Sequence, residues 1–243
     1  MRIGVFDSGI GGLTVLKELI KYHKNNEYIY YGDTKNIPYG NKSKEELMGI
    51  ASNIIDFFIS ERVDLIIIAC GTISSTIFND LKSKYKIPLY NVIDSTINYI
   101  NSNNIDNICI LATEKTIASH TFKNKLKANN VEEIACPNFV PIIEDRMNEE
   151  ELPISIEEYL HKIKNTNINN IVLGCTHYPL ISNEIKDYLG NVNLYNMGEY
   201  LAKEINIIDS SSKLKIYFSY TYPGLKEKIE EILDIKIDKI ECI

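Results

Sequence analysis

An internal repeat restricts the fold of this chain more than any other feature of its sequence. The recurring segments share a constant offset of 105 residues and keep their order along the chain. They are Ile3–Asp7 with Ile108–Ala112, Glu27 with Glu132, Val63–Cys70 with Ile168–Cys175, and Leu89–Asn91 with Leu194–Asn196. Because strand, turn and helix start recur together, the repeat predicts two similar α/β lobes related by a pseudo-twofold axis.

Short apolar runs alternate with longer amphipathic stretches along almost the whole chain. The apolar runs are typical of buried strands, and they are Ile3–Phe6, Tyr28–Tyr31, Leu65–Ala69, Leu89–Asn91, Ile108–Leu111, Ile171–Leu173 and Lys215–Phe218. The amphipathic stretches are typical of helices, and they are Leu13–Tyr22, Lys44–Ser60, Thr76–Lys84, Thr116–Leu126, Ile156–Ile163, Ile181–Tyr188 and Leu225–Leu233. Ser43 and Glu46 have the spacing of a capping box, so we expect a helix to begin between them. The alternation predicts doubly wound parallel α/β layers.

Composition and charge exclude several classes of protein. Of the 243 residues, 44% are hydrophobic and 24% charged, which is typical of a globular protein and not of a disordered or collagen-like one. The net charge of −7 disfavours a nucleic-acid-binding surface. Apolar runs such as Leu65–Cys70 are far shorter than the ~20 residues that cross a bilayer, and Asp7 interrupts the N-terminal segment before a signal-peptide core could form. We therefore expect a cytoplasmic protein with neither a nucleic-acid nor a membrane partner.

The cysteines are expected to be free thiols. The chain has five, an odd number, and no two of them have C-x-x-C spacing. The four histidines are scattered, so the sequence predicts neither a disulfide framework nor a metal site. In a cytoplasmic chain, cysteines that matter are expected to matter through their reactivity.

Two of these cysteines occupy equivalent positions in the repeat, each at the end of a predicted strand. Cys70 precedes a small polar turn that begins with Gly71, and Cys175 precedes Thr176 and His177. Ligands of open α/β sheets bind beyond the carboxyl ends of the strands, and the helix that follows lowers a cysteine pKa from about 8.5. Two facing thiols could remove a proton from one face of a carbon and return one to the other face, which inverts the stereocentre. The alternative is that both are ordinary buried core cysteines.

Other candidate residues lie near the predicted strand ends. Asp7 opens a glycine-rich turn, 7–12, whose N–H groups could bind an anion, although the turn lacks the spacing of a dinucleotide-binding fingerprint. Asp33 and Glu144 could each orient a base or hold an ammonium group. His177 could polarise Cys175 or contact Glu144. No lysine stands in a convincing cofactor-binding motif, so we expect a reaction that needs no cofactor.

Taken together, these motifs resemble the glutamate racemases of the cofactor-independent aspartate/glutamate racemase superfamily. The motifs that carry the resemblance span nearly the whole chain and are Phe6–Gly12, Tyr31–Thr34, Pro38–Gly40, Ala69–Thr72, Cys136–Pro137, Phe139–Pro141 with Glu144, and Gly174–Leu180. The resemblance implies a cleft between two lobes, the first formed by residues 1–94 plus 209–243 and the second by residues 95–208. It also implies conversion of L-glutamate to D-glutamate for peptidoglycan, and family members often form homodimers.

The resemblance also implies a role for each matching residue. Cys70, assisted by Asp7, would handle the α-proton of one enantiomer, and Cys175, assisted by Glu144 and His177, that of the other. The substrate carboxylates would be held by Ser8, Thr72 and Thr176. The other substrate-contacting positions, at the side-chain end of the site and beside the first cysteine, would be Pro38, Tyr39, Gly40 and Gly71.

Two positions depart from the family pattern and keep alternatives open. Gly71 replaces an asparagine that usually contacts the substrate, and losing such a hydrogen bond typically costs about 0.5–1.5 kcal/mol. Arg146 stands where the family usually has glycine. An aspartate racemase of the same superfamily, a non-catalytic amino-acid-binding protein and a redox pair formed by Cys70 and Cys175 are the competing hypotheses.

Overall fold

The computed structural model describes residues 1–144, 148–208 and 210–243. Its strands are β1 (Arg2–Asp7), β2 (Glu27–Gly32), β3 (Leu65–Ile68), β4 (Leu89–Asn91), β5 (Ile108–Ala112), β6 (Val131–Ala135), β7 (Asn170–Leu173), β8 (Asn193–Asn196), β9 (Lys213–Phe218) and β10 (Glu241–Cys242). Its α-helices are α1 (Gly12–Tyr22), α2 (Lys44–Ser60), α3 (Gly71–Thr76), α4 (Phe78–Lys84), α5 (Val92–Ser102), α6 (Glu114–Ala118), α7 (Thr121–Lys125), α8 (Phe139–Ile143), α9 (Glu151–Leu160), α10 (Ser182–Leu189), α11 (Met197–Glu204) and α12 (Leu225–Leu233).

The strands form two parallel sheets, one in each lobe. The first sheet has the order β10-β9-β2-β1-β3-β4 and the second the order β6-β5-β7-β8. Every strand pairing in both sheets is parallel. The order β2-β1-β3-β4 of the first sheet matches the whole of the second, which confirms the predicted α/β fold with two similar lobes.

The strand register shows how far the repeat extends. Cross-strand pairs keep the offset of 105 residues on one side of the central strands, where Ile3 lies opposite Leu65 and Ile108 opposite Asn170. On the other side, Ile3 lies opposite Tyr28, whereas Ile108 lies opposite Val131. Paired residues of β1 and β2 are therefore 25 positions apart along the chain, whereas those of β5 and β6 are 23 positions apart. The expected equivalence of residues 27 and 132 is wrong, because the second lobe reaches its edge strand with a shorter connection.

The two lobes share one hydrophobic core. Helix α11 contacts both α1 and α5, and the apolar side chains of the three helices join those of both sheets in a single buried cluster. Leu16 of α1, Ile97 of α5 and Leu201 of α11 are at most 4% exposed. The outer faces are covered separately, by α2 on the first sheet and by α9 and α10 on the second. Sharing a core fixes the lobes against each other and so fixes the cleft between them.

The predicted helices are present, but one of them begins later than expected and another is divided. The predicted helix 76–84 ends at Lys84 as predicted but begins two residues later, at Phe78, because Ile77 leaves the helical conformation between α3 and α4. The predicted helix 116–126 is divided into α6 and α7 by His120, whose φ of 51° lies in the left-handed region. The capping box is confirmed, since the Glu46 N–H donates to Ser43 Oγ and the Ser43 N–H donates to Glu46 Oε2.

Helices α5 and α11 were not predicted, although the repeat contains a signal for both. Each begins directly after a short strand, at an asparagine of the repeated Leu-Tyr-Asn. Asn91 accepts a hydrogen bond from the Asp94 N–H, and Asn196 accepts one from the Gly198 N–H. Both asparagines are therefore helix N-caps. No helix in the described ranges is both long and apolar enough to cross a bilayer.

Candidate active site

A cavity of about 410 Å³ lies between the lobes at the carboxyl ends of the central strands. Both cysteines of the repeat line it, which is where the strand-end argument places them. The predicted site residues on its wall are Ser8, Pro38, Tyr39, Gly40, Cys70, Gly71, Thr72, Cys175, Thr176 and His177. Asp7 and Glu144 do not line this cavity, and both are buried. The structure thus brings the predicted residues together, with these two carboxylates behind the wall.

A relay of polar groups lies behind Cys175. Its Sγ is 3.7 Å from His177 Nδ1, and His177 Nε2 donates to Glu144 Oε1 at 2.7 Å. The same carboxylate oxygen accepts a hydrogen bond from the Ile10 N–H of the first lobe. Burial alone would lower the pKa of His177, but hydrogen bonds to Cys175 and Glu144 and the charges of both raise it well above its ordinary value. His177 therefore presents a charged imidazole to the Cys175 sulfur.

Cys70 has a different environment. It is the N-cap residue of α3, 4% exposed, and its Sγ lies 3.9 Å from Ser8 Oγ. Burial and the nearby Asp7 carboxylate raise the pKa of the Cys70 thiol to about 12, against a smaller opposing effect of the Ile73 N–H. Without a substrate, Cys70 is therefore a neutral thiol. The site pairs a protonated sulfur on one side with an imidazole-assisted sulfur on the other.

Asp7 connects the first lobe to the loop that carries the second cysteine. One of its carboxylate oxygens accepts from the Gly9 N–H at 3.1 Å, and the other accepts from Thr176 Oγ1 at 3.4 Å. Thr14 of α1 supports the same loop, because its hydroxyl donates to the Thr176 carbonyl at 2.9 Å. Burial raises the pKa of Asp7, although the charge of His177 and the Gly9 N–H oppose that shift. Residues of both lobes thus hold each side of the cleft.

The sequence left open whether Asp33 orients a base or holds an ammonium group. Asp33 is 1% exposed, and its Oδ2 accepts a hydrogen bond of 2.6 Å from the Tyr39 hydroxyl. The Asn36 amide donates to both carboxylate oxygens. Asp33 therefore anchors the turn 37–41 on the cavity wall. In this structure it contacts neither cysteine, so the possibility that it orients a base is not supported.

Two threonines at the start of α6, the N-cap Thr113 and Thr116, are part of the cavity wall that sequence reasoning missed. Thr113 and Thr116 line the cavity together with Glu114. The Thr113 hydroxyl lies 3.3 Å from that of Thr72 in the first lobe and 3.0 Å from that of Thr116. Thr113 follows β5 directly, so the strand-end argument used for the cysteines could have found it. These hydroxyls add hydrogen-bonding groups to the second-lobe wall of the cavity.

The residue after the first cysteine lies against the backbone of the other lobe. A Cβ atom built on Gly71 would be 2.8 Å from the carbonyl oxygen of Gly174. The larger side chain usual in the resembling family therefore does not fit here without movement of the backbone. Arg146, the second departure from the family pattern, lies outside the described residues. Within those residues, no three His, Cys, Asp or Glu side chains are grouped so that they could hold a metal ion.

Comparison with known proteins identifies the family. A family model described as Asp/Glu/Hydantoin racemase matches residues 3–205. The chain belongs to this family. A glutamate racemase of Hydrogenobaculum sp. is 35% identical to this racemase over 98% of the chain and 95% of that protein. One of Fusobacterium nucleatum is 43% identical over 76% of the chain and 72% of that protein.

A solved structure supports the same assignment. The crystal structure of glutamate racemase from Francisella tularensis in complex with D-glutamate matches this racemase with a TM-score of 0.86 at 30% identity. The match covers 100% of this chain and 97% of that one. The recognition made from the motifs is confirmed, and the protein is an isomerase of the racemase family.

Proposed function

We propose that this racemase interconverts L-glutamate and D-glutamate by proton transfer at the α-carbon, with Cys70 and Cys175 as the two acid/base groups. The observation that carries the proposal is the pair of thiols at equivalent strand ends on one cavity. The named relatives support glutamate as the substrate, and one solved relative holds D-glutamate. Neither a metal nor an organic cofactor is part of the proposed reaction.

The proposed reaction conserves protons and electrons within the cleft. A thiolate removes the α-proton, and the electron pair of the broken C–H bond moves onto the α-carboxylate. The opposing thiol then donates its proton to the other face of the α-carbon. The product is the mirror image of the substrate, and the two cysteines have exchanged protonation states. A second proton exchange with solvent restores the starting enzyme.

Different groups support the two sulfurs in this proposal. His177 and Glu144 stabilise the thiolate of Cys175, since the raised pKa of His177 keeps a positive charge beside it. Asp7 assists on the Cys70 side, where the high pKa of that thiol makes it the proton donor when Cys175 is the base. In each direction one sulfur removes the α-proton and the other returns a proton, so both sets of supporting groups take part in every turnover.

The substrate contacts are proposed from the cavity wall. Hydroxyls of Ser8, Thr72 and Thr176 are offered to the carboxylates, and the backbone between Pro38 and Gly40 lines the side-chain end. Thr113 adds a hydroxyl that the sequence did not predict. Because Gly71 has no side chain, its part in substrate binding is limited to its backbone.

Proton NMR in D2O tests the proposal directly. The protein, with reduced thiols, is incubated separately with L-glutamate, D-glutamate and L-aspartate, and the α-proton signal and the optical rotation are followed. Loss of the α-proton of both glutamate enantiomers together with racemisation is the expected result. Exchange with aspartate alone would make this an aspartate racemase. Folded protein that binds glutamate and exchanges no α-proton would be a non-catalytic amino-acid-binding protein.

The cellular setting follows from the proposed reaction. We propose that the D-glutamate enters peptidoglycan and that the protein works in the cytoplasm, where L-glutamate is available. A homodimer remains a prediction from the family resemblance, and sedimentation velocity of the purified protein measures it.

A further inference from the structure

Gly71 of the first lobe and Gly174 of the second lie against each other beside the two thiols. Gly71 follows Cys70 and begins α3 in the first lobe. Gly174 precedes Cys175 and follows β7 in the second. Each glycine is thus bonded directly to one of the two cysteines of the cavity. Both glycines also line that cavity.

The contact between them leaves no room for a side chain on Gly71. A Cβ atom there would lie 2.8 Å from the Gly174 carbonyl oxygen, closer than real Cβ contacts come. The oxygen belongs to backbone that is held in place, because the Gly174 N–H donates to the Leu111 carbonyl at 2.7 Å. A Cβ on Gly174 would in turn meet the same Leu111 carbonyl at 2.8 Å. A side chain at position 71 therefore cannot be accommodated by rotating a side chain of the second lobe, because the atom in its way belongs to the backbone.

We propose that this backbone contact sets the separation of the two thiols, which makes Gly71 a positioning residue for the two-cysteine reaction. The inference rests on the proposed function and extends it to a residue with no reactive group. Proton removal and proton return take place at one α-carbon between the sulfurs. Any increase in their separation therefore lengthens at least one of the two proton transfers.

The structure gives the size of the displacement. Ordinary van der Waals contact begins at 3.4 Å, so an alanine at position 71 must move the two backbones apart by about 0.6 Å. A misplacement of about 1 Å can cost roughly 100-fold in rate. We therefore expect Gly71→Ala to lower kcat about tenfold. The Michaelis constant should change less, because the hydroxyls offered to the substrate remain in place.

The experiment compares Gly71→Ala with Gly49→Ala. Gly49 lies within α2, and a Cβ atom there meets nothing within 4 Å. Both substitutions place alanine in a helix, where it is favoured over glycine by roughly 1 kcal/mol. For each variant we would measure kcat and KM for both glutamate enantiomers, the Tm, and the distance between the Cys70 and Cys175 sulfurs in a crystal structure.

The expected result is a folded Gly71→Ala variant with kcat reduced about tenfold and a sulfur separation longer by several tenths of an ångström, whereas Gly49→Ala matches the wild type. An unchanged kcat or an unchanged separation in Gly71→Ala would overturn the proposal. If that variant does not fold, Gly71→Ser is used, since it has the same Cβ and a hydroxyl that suits a first helical turn. Failure of both to fold would make the contact a folding requirement and refute the positioning role.

The two proposals fail in distinguishable ways. If the wild-type protein does not racemise glutamate, the proposed function is wrong. The separation of the sulfurs still decides the inference about Gly71 in that case, because the crystal structures measure it without any turnover.

Discussion

Replacing Glu144 by glutamine tests the relay behind Cys175 with little change of shape. In the wild type, Glu144 Oε1 lies 2.7 Å from His177 Nε2 and accepts a hydrogen bond from the Ile10 N–H. The glutamine amide keeps an oxygen that can accept both hydrogen bonds. What is lost is the negative charge, which is one of the causes of the raised pKa of His177. The imidazolium, and with it the thiolate of Cys175, should therefore become less stable.

The expected loss follows from the type of hydrogen bond. A bond to a charged group contributes about 1.5–3 kcal/mol, and each 1.36 kcal/mol corresponds to roughly tenfold in rate. We expect kcat/KM of Glu144→Gln to fall by about 10- to 100-fold. The fall must be equal in both directions, because D- and L-glutamate have the same free energy in water.

Isotope effects locate the loss on one side of the cleft. With α-deuterated substrates, the isotope effect on kcat/KM should rise in the direction in which Cys175 removes the proton. It should fall towards unity in the other direction, in which Cys175 returns a proton and that step is now the slow one. Circular dichroism follows racemisation from each enantiomer.

Glu133→Gln is the matched control for this prediction. Glu133 Oε2 lies 2.9 Å from His120 Nδ1, and that imidazole is largely exposed to solvent. Neither residue of this pair lines the cavity, so activity should stay within about twofold of the wild type. Isotope effects that change equally in both directions in Glu144→Gln would refute the assignment of Glu144 to the Cys175 side.

Two further predictions concern the other groups of the site. Alanine at either Cys70 or Cys175 should abolish racemisation measured by polarimetry. Cys109→Ala, in the buried strand β5, should keep the activity at a cost of roughly 1 kcal/mol in stability. Full activity in Cys70→Ala or Cys175→Ala would contradict the two-thiol reaction. Burial raises the pKa of Asp7 above its unfolded value, so the contribution of this carboxyl to stability is largest below about pH 3.9 and is lost as the pH rises. Urea denaturation should accordingly show the wild type losing stability relative to Asp7→Asn between about pH 4 and 7, and a difference that grows in favour of the wild type would be inconsistent with a raised pKa.

The sequence predicted those elements whose signals are local. Buried strands such as β3 and β7 are continuous apolar runs, and the helix after Ser43 begins at a complete capping box. Strand β6 was missed because its side chains are only partly buried and include two glutamates, so it has no apolar run. The breaks at Ile77 and His120 were missed because neither residue is glycine or proline, the usual local signals of a helix end.

The candidate site likewise combines residues that the sequence could predict with contacts that it could not. Cys70 and Cys175 could be found because strand ends and the repeat both mark them. The carboxylate of Asp33 could not be assigned, since its partner Tyr39 is chosen by the path of a turn. Nor could the crossed support of the lobes be predicted, in which Ile10 holds Glu144 and Thr176 contacts Asp7. These contacts join residues more than 130 positions apart, and only the packed lobes bring them together.

The placement of β9 has a consequence for the order in which the chain folds. Strand β9 (Lys213–Phe218) pairs with β2 (Glu27–Gly32) and lies between it and β10. Every strand of the second sheet precedes β9, so a ribosome completes that sheet while β2 still has an open edge. An unpaired edge strand is a template for pairing with another chain, and incompletely folded chains aggregate through such edges. During synthesis, the edge of β2 therefore stays open to pairing with a neighbouring chain until β9 has been made.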